Sequence, residues 1–152
     1  MLECLVIGDS IAVGISHFRK ECVSYARTGW TSSQWNKHYL QTLNAQLPVK
    51  NLIISLGTND YQGINTIAEL NKIRENVQSN TRVFWVLPPK AKLAQREMVR
   101  EVAEIWRDTW LSVPENELAG DKIHPTHSGY RHIAEEPARR ARMLADISFM
   151  KD

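Results

Sequence analysis

The chain has 152 residues, 43% of them hydrophobic, and a formal net charge of +2. A chain of this size buries about 70% of the surface that it exposes when unfolded. We therefore expect a single domain over residues 1–152 that needs neither a disulfide nor a metal to hold its core. Basic and acidic residues are mixed along the whole length, so no nucleic-acid partner and no charged disordered tail are expected.

The sequence indicates a protein that is not inserted in a membrane. Its longest apolar runs are far too short to span a bilayer, and Met1 lies almost directly before the first predicted strand, where a signal peptide has no room. We therefore expect a cytoplasmic location, with incorporation into a larger particle or non-standard export left open. Cys4 and Cys22 fall in predicted strands, and without an export signal they are expected to be buried free thiols. The oligomeric state is left open.

The hydrophobic pattern predicts strands that alternate with helices along the whole chain. Strands are expected at residues 3–7, 21–26, 51–56, 82–87 and 109–113, and helices at residues 10–20, 31–47, from 66, 93–107 and from 126. The third strand is apolar nearly throughout, as a central parallel strand should be. Thr66 and Glu69 have the spacing of a capping box for the third helix, and Pro137 is expected to kink or restart the last one.

This alternation predicts an α/β protein, a single-domain three-layer α/β/α sandwich around a five-stranded parallel sheet. The expected strand order is flavodoxin-like, 2-1-3-4-5, with its topological switch between the first and third strands. Such sheets bind ligands beyond the carboxyl ends of their strands at the switch. Gly8-Asp9-Ser10 follows the first strand, Gly29 the second, and Gly57-Thr58-Asn59-Asp60 the third, so these loops are expected to meet there.

Ser10 stands between a strand and a helix, where a serine is either a helix cap or a nucleophile. A nucleophile needs a base and an orienting group. The segment Asp121-Lys122-Ile123-His124-Pro125 offers both, because it follows the fifth strand at the same edge of the sheet. The Asp121 carboxylate is expected to reach His124 Nδ1–H, which leaves Nε2 to face Ser10. The chain order is then Ser, Asp, His, as in other α/β serine hydrolases, although no Gly-x-Ser-x-Gly turn is present.

Three donors are candidates for an oxyanion hole: the backbone N–H groups of Ser10 and Gly29 and the side-chain amide of Asn59. Simpler interpretations stay open at this point, since the glycine and the Asn-Asp pair also suit ordinary turns. A metal site built from Asp121, His124 and His127 is the less favoured alternative, because no further ligand is evident. No metal and no cofactor are therefore expected.

Taken together, four segments resemble the defining blocks of the SGNH hydrolases, also called the GDSL esterase/lipase family. These are Gly8-Asp9-Ser10, with Ile11 where the family name has leucine, Gly29, Gly57-Thr58-Asn59-Asp60, and Asp121-Lys122-Ile123-His124-Pro125. The resemblance implies that Ser10 is the nucleophile, His124 the general base and Asp121 its orienting group. It also implies that Ser10, Gly29 and Asn59 are the oxyanion donors.

The expected function is a serine esterase that cleaves carboxylic esters through an acyl-enzyme, with acetyl esters of carbohydrates as the preferred substrates. The alternatives are a lysophospholipase- or thioesterase-type hydrolase and a catalytically silent ligand-binding module on the same fold. Short polar loops at the predicted active edge favour short acyl groups, because they offer little apolar wall for a long chain. Trp30 and Tyr61 flank the oxyanion loops and are candidates for stacking on a substrate or for packing at the rim.

Overall fold

The structure is a computed structural model that describes residues 1–151, in which five strands alternate with five α-helices. The strands are β1 (Leu2–Gly8), β2 (Val23–Ala26), β3 (Val49–Ser55), β4 (Arg82–Val86) and β5 (Thr109–Leu111). The helices are α1 (Ser10–Ser16), α2 (Ser32–Gln46), α3 (Thr66–Arg74), α4 (Leu93–Ile105) and α5 (His127–Lys151). All five predicted strands are present, and each predicted helix begins within about two residues of its expected start.

The strands form one parallel sheet in the order β2-β1-β3-β4-β5, which confirms the predicted topology. Alternate residues of each strand face opposite sides of the sheet. In β1, Leu5 and Ile7 face a core shared with α2, α3 and α4, whereas Cys4 and Val6 face a core shared with α1 and α5. The fold is therefore the predicted three-layer α/β/α sandwich, and both faces of its central strands are buried.

Two details of the helices differ from the predictions. Asn65, not Thr66, caps α3, because the Asn65 side chain accepts a hydrogen bond from the Ala68 N–H. Pro137 lies inside α5, which is one continuous helix of 25 residues, so the prediction that it restarts there is wrong. No helix within residues 1–151 is both long and apolar enough to cross a bilayer.

The expectation of two free thiols is wrong, because Cys4 and Cys22 form a disulfide. β1 pairs with β2 in a register that sets Leu5 beside Val23, so the residues before them are also neighbours. Their Cα atoms are 4.8 Å apart, a separation that suits a disulfide. The chain reaches this arrangement because α1 ends at Ser16, earlier than predicted, and tight turns return it to the sheet.

Candidate active site

The turn from β1 to α1 sets Ser10 at the carboxyl edge of the sheet. Gly8 has φ = +140°, and a Cβ there would lie 1.8 Å from the Ser55 carbonyl oxygen, so only glycine lets β1 approach β3 this closely. The Asp9 N–H donates to that same carbonyl at 2.9 Å. Asp9 caps α1 by accepting from the Ile11 N–H at 3.0 Å. Ser10 is thus the first helical residue, and Asp9 takes the capping role considered for it.

A continuous chain of hydrogen bonds joins Ser10, His124 and Asp121, which we call the triad. Ser10 Oγ lies 2.9 Å from His124 Nε2, although 114 residues separate the two in sequence. His124 Nδ1 lies 2.6 Å from Asp121 Oδ2. These are the contacts that the sequence predicted, with each nitrogen of the imidazole facing the predicted partner. In this arrangement the Asp121 carboxylate accepts from Nδ1–H, so that Nε2 carries the lone pair that faces the serine.

The loop that carries Asp121 and His124 is held by backbone pairing at its base. Leu118 and Pro125 form an antiparallel bridge, and the Ala119 N–H donates to the His124 carbonyl at 2.7 Å. Gly129, in the first turn of α5, packs close behind, since a Cβ there would lie 2.6 Å from the Glu117 carbonyl oxygen. The position of the imidazole is therefore fixed by the backbone on both sides of the turn.

Hydrogen bonds hold Asp121 in its ionised form. Besides His124 Nδ1, its carboxylate accepts from the backbone N–H groups of Ile123 and His124, each at 2.9 Å. These bonds, led by the one from the His124 ring, lower the pKa of Asp121 to about 2. At neutral pH the group is a carboxylate that orients the imidazole and stabilises it when it becomes charged.

Asp9 has the opposite electrostatic character. Its side chain is fully buried, and that burial raises its pKa to about 7 against the opposing effect of hydrogen bonds from Ile11 and Ser55. Oδ1 receives both of those bonds, whereas Oδ2 is buried without a partner among the described residues. A protonated Oδ2 is less costly to bury than a lone charged oxygen, so burial favours a neutral carboxyl beside Ser10.

The second and third loops meet beside Ser10. Gly29 has φ = +80°, and a side chain there would meet no atom within 4 Å, so its backbone conformation rather than crowding favours glycine. The Asn59 side-chain amide donates to the Trp30 carbonyl at 3.1 Å, which ties the β3–α3 loop to the residue after Gly29. One N–H of the Asn59 amide is used in this bond and the other is left for a ligand. The three predicted oxyanion residues therefore lie on connected loops at one edge of the sheet.

Asp60 connects the same two loops through its buried side chain, a role that the sequence does not indicate. Its buried carboxylate accepts from the Ser32 N–H at 2.8 Å, the Ser32 hydroxyl at 2.5 Å and the Thr66 hydroxyl at 2.7 Å. Its backbone carbonyl accepts from the Gln95 side chain of α4 at 2.9 Å. The available signal was the aspartate after Asn59 together with the Thr-Ser pair that begins α2, but nothing in the sequence joined them.

Trp30 and Tyr61, the two tentative substrate residues, differ in their surroundings. The Trp30 ring is half-buried against α2, with its centroid 4.7 Å from that of His38 and 5.6 Å from that of Tyr39. Tyr61 is 66% exposed at the rim. Packing accounts for the position of Trp30, whereas Tyr61 has an open ring face. Their roles towards a substrate stay predictions.

The residues of the alternative metal set do not converge. Asp121 and His124 bond to each other, whereas the His127 ring packs edge-on against Phe18 at a centroid distance of 4.9 Å. In residues 1–151, one group of potential ligands is close enough to share an ion, namely Cys4, Glu21 and Cys22. Its two sulfur atoms are joined in the disulfide.

Three cavities matter to the interpretation of the site. The largest, about 440 Å³, lies at the amino ends of β4 and β5, on the opposite edge of the sheet from Ser10, so size alone points away from the triad. A small apolar cavity includes Ile11 and Ile123, the neighbours of Ser10 and His124. A third, of about 240 Å³, includes Lys122 of the same turn. The convergent polar groups make the edge with the triad the better candidate for an active site.

Solved structures share this fold. A GDSL-like lipase from Bacteroides thetaiotaomicron aligns over 94% of this chain and 89% of its own, with a TM-score of 0.71 at 14% identity. A carbohydrate acetylesterase from Sinorhizobium meliloti aligns over 95% and 100%, with a TM-score of 0.69 at 13% identity. The catalytic domain of the Streptococcus pneumoniae peptidoglycan O-acetyltransferase A aligns over 95% and 94%, with a TM-score of 0.65 at 19% identity.

This likeness establishes the fold and confirms the fold class that the four sequence blocks implied. No protein-family model matches the chain, and no curated protein matches it either.

Proposed function

We propose that this chain is a serine esterase of the SGNH type that hydrolyses carboxylic esters through an acyl-enzyme. The observation that carries the proposal is the continuous chain from Ser10 Oγ through the His124 ring to the Asp121 carboxylate. Structures of the same fold include a GDSL-like lipase, a carbohydrate acetylesterase and an O-acetyltransferase domain, which supports ester chemistry at this edge of the sheet.

In the first half of the reaction, His124 Nε2 takes the proton of Ser10 while Oγ attacks the ester carbonyl carbon. The carbonyl oxygen becomes negatively charged and accepts hydrogen bonds from the N–H groups of Ser10 and Gly29 and the Asn59 amide. The carbon–oxygen bond to the alcohol then breaks, and the alcohol leaves with the proton from His124. Asp121 stabilises the imidazolium between these two transfers.

In the second half, water replaces the alcohol. His124 takes a proton from the water, whose oxygen attacks the acyl carbon of the Ser10 ester. The tetrahedral intermediate collapses, the bond to Oγ breaks, and Oγ takes from His124 the proton that came from the water. The products are a carboxylic acid and the free enzyme. In each half of the reaction, His124 Nε2 takes one proton and then gives it up, first to the alcohol and then to Ser10.

Within this class we propose short acyl groups, with acetyl esters of carbohydrates as the lead substrates. The small apolar cavity beside Ile11 and Ile123 supports this choice. Its volume is about 10 Å³, which has room for about one water molecule. A methyl group is of similar size, whereas a longer chain requires its walls to move. A lysophospholipase or thioesterase activity is therefore less favoured, and a silent binding module would have no need of the complete triad.

The location of the protein is a separate matter. The Cys4–Cys22 disulfide favours an oxidising environment, because thiols are kept reduced in most cytosols. The cytoplasmic location expected from the sequence stays a prediction, and the disulfide does not favour it.

A labelling experiment tests the triad. A fluorophosphonate should add to wild-type protein at Ser10, located by peptide mass spectrometry, and Ser10→Ala should lose both the adduct and the hydrolysis of p-nitrophenyl acetate. Ser16→Ala, at the far end of α1, is the matched control and should keep both. Hydrolysis by Ser10→Ala at the wild-type rate would overturn the proposal.

The acyl preference is tested with p-nitrophenyl esters. We expect kcat/KM to fall from acetate through butyrate to octanoate, because each methylene without a wall forgoes about 0.8 kcal/mol of burial. A steady rise toward octanoate would instead support the lipolytic alternative.

A further inference from the structure

The turn that carries the triad also carries a lysine that the proposed reaction does not use. Lys122 stands between Asp121 and His124 and lines the cavity of about 240 Å³, together with Lys90, Ala91, Glu115 and Leu118. This cavity lies beside the triad turn, outside the small apolar cavity. Leu118 lines both cavities and thus forms the wall between them.

The backbone of the turn does not explain a lysine at this position. Lys122 has φ = +61°, in the left-handed region that glycine and asparagine occupy more readily than a long side chain. Its N–H donates to the Ala119 carbonyl at 3.0 Å, a bond that any residue except proline makes. An unusual backbone conformation next to a proposed base is a reason to look for a role of the side chain.

The charges around the cavity are predominantly positive. Lys90 and Lys122 contribute two ammonium groups, and Glu115 contributes one carboxylate, whose Oε1 lies 3.9 Å from the Lys90 ammonium. Both partners of that pair are 65% exposed, so water screens it strongly and Lys90 is free to turn to another anion. Two cations that line one concave surface attract a negatively charged ligand group.

We propose that this cavity, which we call the lysine cavity, binds an anionic group on the alcohol part of the ester. The inference rests on the proposed function. With the acyl group in the small apolar cavity, Leu118 directs the alcohol to the other side of the wall, where Lys122 and Lys90 meet it. The substrate class is then a short-acyl ester of an alcohol that bears a carboxylate or a phosphate. The anion stays on the departing alcohol, so the chemistry at Ser10 is unchanged.

The experiment compares two aryl acetates that differ in one charge: 4-acetoxybenzoate and its methyl ester. The measured quantity is the ratio of kcat/KM for the charged ester to that for the neutral ester, determined for each variant. A disturbance of the triad turn affects both esters alike and cancels in the ratio. A third probe, 4-acetoxyphenyl phosphate, distinguishes carboxylate from phosphate as the preferred anion.

We expect the ratio to fall by up to about fivefold in Lys122→Gln and in Lys90→Gln, the range of a partly exposed ion pair. Lys122→Arg should keep the wild-type ratio, because it keeps the positive charge. In wild-type protein, 0.5 M NaCl should lower the ratio. Lys92→Gln removes a nearby lysine that does not line the cavity, and its ratio should match wild type. A higher ratio with the phosphate probe than with the carboxylate would assign the cavity to phosphate esters.

The possible failures are distinguishable. If wild-type protein hydrolyses both esters and the ratio is the same in Lys122→Gln, Lys90→Gln and Lys92→Gln, the lysine cavity is not an anion site, and the proposed esterase stands. If wild-type protein hydrolyses neither ester, the proposed function is wrong and this inference is overturned with it.

Discussion

Replacing Asp60 by asparagine tests whether the buried network beneath the oxyanion loops contributes to catalysis. The carboxylate accepts three hydrogen bonds, two from Ser32 and one from Thr66. In Asp60→Asn the amide oxygen still accepts from the Ser32 N–H. The amide nitrogen faces the hydroxyl groups of Ser32 and Thr66, and it cannot accept the hydrogen bonds that they donate to the carboxylate. Two bonds to a charged acceptor are therefore lost, each worth about 1.5 kcal/mol at the lower end of the usual range.

We therefore expect the free energy of unfolding to fall by about 3 kcal/mol and kcat to fall by about ten- to a hundredfold. The effect on kcat follows because Asp60 sets the spacing between the loop with Gly29 and the loop with Asn59. A displacement of about 1 Å in a catalytic donor costs up to about 10² in rate. KM should change less, since the oxyanion bonds strengthen only as charge develops.

The assay pairs urea unfolding with steady-state hydrolysis of p-nitrophenyl acetate. Val102→Ala is the matched control, because Val102 is fully buried in the core beneath α4 and its truncation should cost a comparable free energy of about 2 kcal/mol. That variant should keep its kcat. If Asp60→Asn loses stability but keeps kcat within twofold, the network is a structural element only and the positioning argument is wrong.

Three further predictions concern the site itself. Asn59→Ala should lower kcat by about 10²–10³ with a smaller change in KM, and a raised KM with unchanged kcat would make Asn59 a ground-state contact. Asp121→Asn should lower kcat by about 10⁴, as in other triads, with its circular dichroism spectrum unchanged. Folded Asp9 stays protonated up to about pH 7, whereas the unfolded group ionises near pH 3.8, so stability should be lost as pH rises between these values. Wild-type protein should lose about 4 kcal/mol of unfolding free energy across that pH range, and Asp9→Asn should not. Thermal unfolding at each pH measures this, and parallel stability curves for the two proteins would refute the raised pKa of Asp9.

The fold follows from the sequence because its strands and helices have unambiguous periodicities. A run such as Leu52–Leu56 has nothing polar except one serine, which fits a strand buried on both faces. With the strands in place, right-handed crossovers leave few orders for five of them. The predictions are wrong where a single residue determines a local feature, such as the cap of a helix. The spacing of Thr66 and Glu69 predicts a capping box, but the Thr66 hydroxyl donates to Asp60 and Asn65 supplies the cap.

The disulfide was missed for a different reason. The lack of an export signal favoured free thiols, whereas the pairing depends on the register of β1 against β2. Register is a relation between strands that no local pattern reports. Cys4 lies in β1 as predicted, but Cys22 lies directly before β2 and not in it. Neighbouring strands were expected, yet a shift of one residue in their register would turn the two side chains to opposite faces of the sheet.

The same distinction between local and relational features explains what was foreseen at the site. Ser10 and His124 were predicted to meet because topology alone sets the ends of β1 and β5 at the same edge of the sheet. Asp121 was predicted to reach His124 because a spacing of three residues in a turn is a local property. The role of Asp60 depends on groups of α2 and α3 that converge on one carboxylate, which neither topology nor spacing specifies. The reacting groups therefore follow from topology and local spacing, whereas the groups that position the oxyanion loops follow from neither.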